Sequence, residues 1–241
     1  MNSFDTGVLS FFNQFSRKSQ VFDHVVVFLQ DASLLKAGVL IAVLWWFWFD
    51  PRDTGKNRAS ILSTLTATAV AILLARGLAN LLPFRARPMN VEELHFTLPL
   101  GMKPGSLEDW SSFPSDHATM FFALVTGIFI LSKRLGVLSF FWVVVVVILP
   151  RLYIGIHFPT DILAGAVLGV FITWLAHREF IRNPLARIGT AWVEKHPASF
   201  YMCFFLATYQ FVVLFDDLRD LAKITMHAIR VSRTGADWDA D

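Results

Sequence analysis

Three stretches carry residue types suited to proton and phosphate chemistry: Arg85-Ala86-Arg87-Pro88, Phe113-Pro114-Ser115-Asp116-His117-Ala118, and Arg151 through Asp161. In the third, His157 and Asp161 are four residues apart, one turn of a helix. Pro159 suits a first helical position, so a helix is predicted to begin near Phe158. Asp161 then sits in its first turn, where its carboxylate can accept a hydrogen bond from His157 Nδ1. The other ring nitrogen, Nε2, is left unprotonated as a nucleophile or base. A loop histidine beside an aspartate that only caps the helix fits the same spacing. In the second stretch, Ser115 is a natural N-cap for a helix over the following apolar run. Helix N-termini favour anions, phosphate among them, and His117 in that first turn can protonate a leaving group. An ordinary capped helix with an interfacial histidine fits equally. In the first stretch, Arg85 and Arg87 present guanidinium forks that match phosphate oxygens. Contact with lipid headgroups is the alternative.

If the three stretches meet, they bring together two histidines, a carboxylate, a serine and, with Arg151, three arginines. That set suits phosphoryl transfer: arginines bind the charged oxygens, one histidine attacks and the other protonates. A divalent metal would call for more carboxylates or a denser His/Asp cluster, so neither metal nor cofactor is expected.

The elements that must position these residues are read from the apolar pattern. The chain has 241 residues, 55% hydrophobic and 17% charged, with 24 Phe and 8 Trp, and a mean hydropathy of +0.53. Soluble domains carry about 25% charged residues, so the composition predicts an all-α, polytopic membrane bundle. A net charge of +2, with the basic residues scattered between apolar runs, gives no reason to expect nucleic acid. The single Cys203 excludes an internal disulfide, and the N-terminus lacks the pattern of a cleavable signal.

Residues 1–32 are predicted to form one or two amphipathic helices, lying at the membrane interface or packed as an arm on the bundle. The transmembrane core is predicted over 33–215, with its motifs inside 76–180, and a charged tail over 216–241. About six spans are expected, at 33–49, 59–82, 118–131, 137–150, 159–176 and 199–215. Trp45, Trp46 and Trp48 are read as an aromatic belt. Residues 83–116 form a long loop, a length that usually signals function or disorder. Residues 151–158 are read as a short polar loop and 177–198 as a basic connector. Gly165 and Gly169 predict close helix packing. Arg52, Lys56, Arg58, Lys133, Arg134, Arg178, Arg182, Arg187 and Lys195 fall in turns on one side, which is then cytoplasmic. Arg87, His117, Arg151 and His157 fall on the opposite, extracytoplasmic side.

The ordered set Arg87-Pro88, Pro114-Ser115-Asp116-His117 and Arg151-x5-His157-x3-Asp161 resembles the type 2 phosphatidic acid phosphatases, which share a core with vanadium haloperoxidases. Their motifs are Lys-x6-Arg-Pro, Pro-Ser-Gly-His and Ser-Arg-x5-His-x3-Asp, and the likeness covers roughly residues 55–180. The resemblance implies a metal-independent, two-step mechanism. In it His157 becomes a phosphohistidine oriented by Asp161, His117 protonates the leaving oxygen and then activates water, and Arg87, Ser115 and Arg151 hold the phosphate. Three positions depart from the pattern. Asn80 replaces the motif lysine, for which Arg76 or Arg85 can substitute. Pro150 replaces the serine before Arg151. Asp116 replaces the glycine and repels phosphate unless it points away or binds an arginine.

Asp116 within Phe-Pro-Ser-Asp-His-Ala looks like the bacterial undecaprenyl-diphosphate phosphatase branch. The expected substrate is therefore a lipid phosphate in a bacterial plasma membrane, undecaprenyl diphosphate first. Phosphatidic acid, phosphatidylglycerophosphate and glycolipid phosphates are alternatives, as are a lipid phosphotransferase and a lipid-binding subunit with a decayed site. The sequence leaves the oligomeric state open.

Overall fold

The computed structural model describes residues 2–102, 105, 107, 108 and 110–213; the tail expected over 216–241 lies outside them. The described residues are helical, with no strand. The helices are α1 (Ser3–Asn13), α2 (Gln20–Asp31), α3 (Val39–Phe49), α4 (Thr54–Leu81), α5 (Asp116–Leu131), α6 (Lys133–Val143), α7 (Leu149–Ile154), α8 (Pro159–Ala176), α9 (Glu179–Lys195) and α10 (Pro197–Val212). A π-helical turn, Val144–Ile148, joins α6 to α7, and another, Leu34–Gly38, leads into α3.

The centre is a trio, α4, α5 and α8, packed mutually. Small residues make the close approach possible. A Cβ added at Gly165 or Gly169 on α8 would run into backbone oxygens of α5, those of Ser115 and Thr119. The expected small-residue contact is therefore real, and it sits directly behind the start of α5. Within α4, Thr64 and Thr68 turn their hydroxyls back onto the carbonyls of Ser60 and Thr64, at 2.8 and 2.7 Å. This satisfies polar groups that are fully buried between helices.

Among the described residues three helices are long and apolar enough to cross a membrane: Pro51–Leu81, Lys133–Ile154 and Pro159–Ala176. A fourth results if α2 and Leu34–Phe49, bent by 65°, count as one span. The apolar α5, at 16 residues, is about 24 Å long. Outward-facing Leu73, Phe129, Leu138, Leu163, Val167 and Phe171 are exposed, an apolar girdle that a membrane covers. Among the described residues three to four helices have the length and composition of a span, where about six spans were expected.

Several boundaries move. The helix read as ending at Pro150 continues to Ile154, so Arg151 is helical and the loop shrinks to Gly155–Phe158. Pro150 lies inside the Lys133–Ile154 helix directly after the π-helical turn, where the ordinary hydrogen-bond ladder is already interrupted. The connector at 177–198 is mostly a helix, α9, laid against α4. Two of the three tryptophans of the expected belt point inward: Trp48 is fully buried and bonds Tyr201 Oη at 3.3 Å, and Trp45 bonds Thr208 at 3.2 Å. Trp46 alone of the three is exposed.

Chain direction brings the motifs together. α4 ends, α5 begins, α7 ends and α8 begins at one end of the bundle. At the other, Ser60 near the start of α4 meets His177 just past α8, at 3.0 Å. α1 and α2 pack across the motif end, against α7 and α8.

Candidate active site

Two local devices aim the third motif. Gly155 caps α7 in the left-handed conformation, φ 77°. Its open Cα position also accommodates the Phe96 ring, which a Cβ would strike. The chain then turns through Ile156 and His157 into α8, which starts on Pro159 as predicted. Asp161 does cap this helix: its Oδ2 accepts the Phe158 N–H at 2.8 Å.

The hydrogen bond expected between His157 and Asp161 is not made. His157 Nδ1 stands 3.8 Å from Asp161 Oδ2 and donates instead to the backbone carbonyl of Ser112, at 2.9 Å. The Asp161 oxygens are occupied, one by the helix cap and the other by Arg85 NH1 at 2.5 Å. Ser112 O still fixes the predicted tautomer, because Nδ1 carries the proton and Nε2 keeps its lone pair. His157 is 2% exposed. Burial, the largest influence on it, pulls the imidazole pKa below its ordinary 6.5, so the ring is neutral near pH 7. Arg87 NH1 is 3.5 Å from that Nε2 and donates to Ile156 O at 3.0 Å.

Arg85 is not free to hold phosphate. Besides Asp161 it bonds Thr160 Oγ1 at 2.9 Å and Asp5 Oδ2 at 2.8 Å, and it lies over the Phe158 ring at 4.1 Å. It serves two buried carboxylates, Asp161, expected to pair with His157, and Asp5. One of them, Asp5, was missed. It is fully buried, and its two oxygens also take the backbone N–H and hydroxyl of Thr160 at 3.0 and 2.7 Å. An acid within an apolar amphipathic helix was the available signal. Ser112 had none, since a backbone carbonyl is common to every residue.

The second motif starts α5 as expected: Ser115 Oγ accepts the Ala118 N–H at 3.3 Å. Amides at this helix start are already engaged, however. Ser115 N–H donates to Asp161 O at 3.1 Å, and His117 N–H donates to Asp116 Oδ1 at 2.8 Å. Asp116 does bind an arginine, Arg76, and also meets His117 Nδ1 at 3.0 Å. Arg76 is thus an ion-pair partner in this structure, stacked on Trp110 at 4.9 Å. Arg151 is 1% exposed and bonds Gln30 Oε1 at 2.8 Å. Its Nε and that of Arg87 are buried with no partner, donors whose burial costs free energy until an acceptor arrives.

A cavity of about 660 Å³ joins these groups. Its polar end is formed by Arg76, Arg87, Asp116, His117 and His157, and its apolar wall by Ala69, Ile72 and Leu73 of α4 with Met120 of α5. Ser115, Arg85, Arg151 and Asp161 are not lining residues. Such a space can hold an anionic head at two histidines and an apolar chain along α4.

The comparisons with known proteins agree with this geometry. Residues 59–184 match the profile of the PAP2 superfamily. The chain is 30% identical to the bacitracin transport permease protein BcrC of Bacillus licheniformis, over 73% of this chain and 83% of that protein. It is 25% identical to the undecaprenyl-diphosphatase BcrC of Bacillus subtilis, over 68% and 77%. To the lipid A 1-diphosphate synthase of Escherichia coli it is 26% identical, over 70% and 72%. No solved structure matches it. With the motifs assembled at one end of an apolar bundle, the chain belongs to the PAP2 superfamily and is a membrane lipid phosphatase.

Proposed function

We propose that the chain hydrolyses undecaprenyl diphosphate to undecaprenyl phosphate, on the outer face of a bacterial plasma membrane, through a phosphohistidine on His157 and without metal. The observation that carries this is the cavity, with both histidines and Arg87 at one end and an apolar wall beside them. The relative named as an undecaprenyl-diphosphatase supports the substrate. Arg52, Lys56, Arg58, Lys133 and Arg178, all at the end of the bundle away from the site, support the orientation.

In the first step, His157 Nε2 attacks the terminal phosphorus with its lone pair. The bond between phosphorus and the bridging oxygen breaks, and the electron pair leaves with undecaprenyl phosphate. His117 Nε2 supplies the proton to that oxygen. Arg87, which lines the cavity and whose Nε is unpartnered in the resting site, receives the phosphoryl oxygens. The cationic phosphohistidine forms 3.8 Å from Asp161, close enough to be stabilised by its charge. In the second step His117, now neutral, takes a proton from water, whose oxygen attacks phosphorus and frees His157. The whole demand on positive charge is met by arginines, so EDTA should leave the rate unchanged.

A panel of lipid phosphates presented to the purified protein in detergent with EDTA tests the reading. Release of phosphate from undecaprenyl diphosphate, lost in His157→Ala, is the expected result. Faster release from phosphatidic acid or phosphatidylglycerophosphate would move the assignment to those lipids. A phosphotransferase has one observation in its favour, the relative named as a synthase of a lipid diphosphate. An acceptor-dependent phosphorylated lipid in the same assay would support it.

A further inference from the structure

We propose that Asp116, with Arg76 as its counterion, is a positioning residue that holds His117 for proton transfer; the inference rests on the general acid role of His117 given above. The residue that departs from the Pro-Ser-Gly-His pattern is then a working part, and so is the arginine beside it.

A single oxygen, Asp116 Oδ1, accepts both the His117 backbone N–H at 2.8 Å and ring Nδ1 at 3.0 Å. Two bonds to one acceptor from the same residue fix the imidazole relative to its own backbone. The ring is on the cavity wall, and its Nε2 has no hydrogen-bond partner among the described residues. The other carboxylate oxygen, Oδ2, pairs with Arg76, whose guanidinium lies against the Trp110 ring. Trp110, Arg76, Asp116 and His117 therefore form a continuous chain from the long loop to the acid, through the end of α4 and the start of α5. The pairing also answers the repulsion that a carboxylate beside a phosphate site would cause, because Arg76 neutralises it.

The chemistry requires this arrangement. To act as acid, His117 must carry protons on both nitrogens; burial pulls its imidazole below the ordinary 6.5, and the facing Asp116 carboxylate opposes that pull and accepts the Nδ1 proton as a hydrogen bond. When the bond from phosphorus to the leaving oxygen breaks, the Nε2 proton goes to that oxygen and the electron pair of Nε2–H stays on the ring. Nδ1–H remains on Asp116 throughout. The lone pair on Nε2 then takes a proton from the attacking water, restoring the cation.

The test compares two substrates that differ in their need for an acid. Dodecyl phosphate expels an alcohol, which must be protonated; p-nitrophenyl phosphate expels a phenolate, which leaves unassisted. In Asp116→Asn, which keeps an oxygen to cap His117, kcat on dodecyl phosphate is expected to fall about 10- to 100-fold, the scale of lost orienting partners. On p-nitrophenyl phosphate the first-turnover release of p-nitrophenolate, which precedes the water step, is expected to slow by no more than about threefold, with KM little changed for both, because proton transfer contributes little there. Arg76→Gln, which leaves both bonds to His117 in place, is expected to show the same selectivity more weakly. It also serves as the second variant should Asp116→Asn fail to fold. Adding Asp116→Asn to His117→Ala is expected to cost nothing further. Equal losses on both substrates, or a loss confined to KM, would overturn the positioning role and leave Asp116 as structural or substrate-binding. If His117→Ala itself fails to discriminate between the substrates, the acid role falls, and with it the reading on which this inference rests.

Discussion

Each histidine of the site stands beside an aspartate that is paired to an arginine, yet the two sets are built differently. His117, Asp116 and Arg76 come from the adjoining ends of two helices and are partly open, their side chains 21%, 20% and 31% exposed. His157 and Asp161 are closed in, at 3% and 0%. Their surroundings come from four parts of the chain: Ser112 in the long loop, Arg85 at its start, the N-terminus of α8, and Asp5 on α1. The open set faces the cavity, as the proposed acid that must later act as a base requires. The closed set keeps a neutral imidazole dry and fixed in one tautomer, as the proposed nucleophile requires. Its stability depends on a third charge, since Arg85 lies between two buried carboxylates and belongs equally to the fold.

The largest effect separating the two sets should come from the nucleophile. His157→Ala is expected to lower kcat by about a million-fold, the scale of losing a catalytic nucleophile, and to abolish acid-labile labelling by radioactive phosphate. Activity near wild type would remove His157 from the mechanism. His117→Ala is expected to cost about 10²- to 10⁴-fold on a lipid monophosphate, and clearly less on a diphosphate, whose phosphate leaving group needs less protonation. Equal losses on both would deny the open set its acid role.

Asp161→Asn should be milder than a direct carboxylate–histidine bond implies. Because Ser112 O holds the ring, a loss of about 10- to 100-fold is expected, against about 10⁴-fold where the carboxylate itself fixes the tautomer. A loss of the larger size would mean that His157 turns to Asp161 during turnover. Asp5→Ala leaves Arg85 with one carboxylate fewer and is expected to cost about 3–5 kcal/mol of stability, read as a lower midpoint of thermal unfolding in detergent. An unchanged midpoint would make α1 a loosely attached arm. The smallest effect is in the pH profile. Burial favours the neutral form of His157, so the acid limb of kcat/KM should lie below the ordinary histidine value of 6.5, with activity lost only as pH falls through that lowered value. A limb above 6.5 would contradict the buried, neutral nucleophile.

The sequence by itself determined the helical class, the membrane setting and the motif residues on which the proposed chemistry rests. Those follow from local facts: apolar run lengths, a proline at a helix start, a serine before an apolar run, and a His-x3-Asp spacing. Even the Asp116–His117 contact is between chain neighbours, although its pairing with Arg76 spans two helices. Tertiary structure decided where each charged group turned. Arg85 was read as a phosphate ligand because an arginine's type says only that it seeks an anion; folding placed Asp5 and Asp161 within its reach first. Asp161 was assigned to His157 because the i, i+4 spacing permits the contact, but spacing does not reveal that a carbonyl forty-five residues away lies closer to Nδ1. The role of Asp5 depends on α1 docking over the end of α8, a contact between segments more than 150 residues apart. Such choices arise from competition among partners that meet only when the chain is packed, and no local pattern encodes the winner.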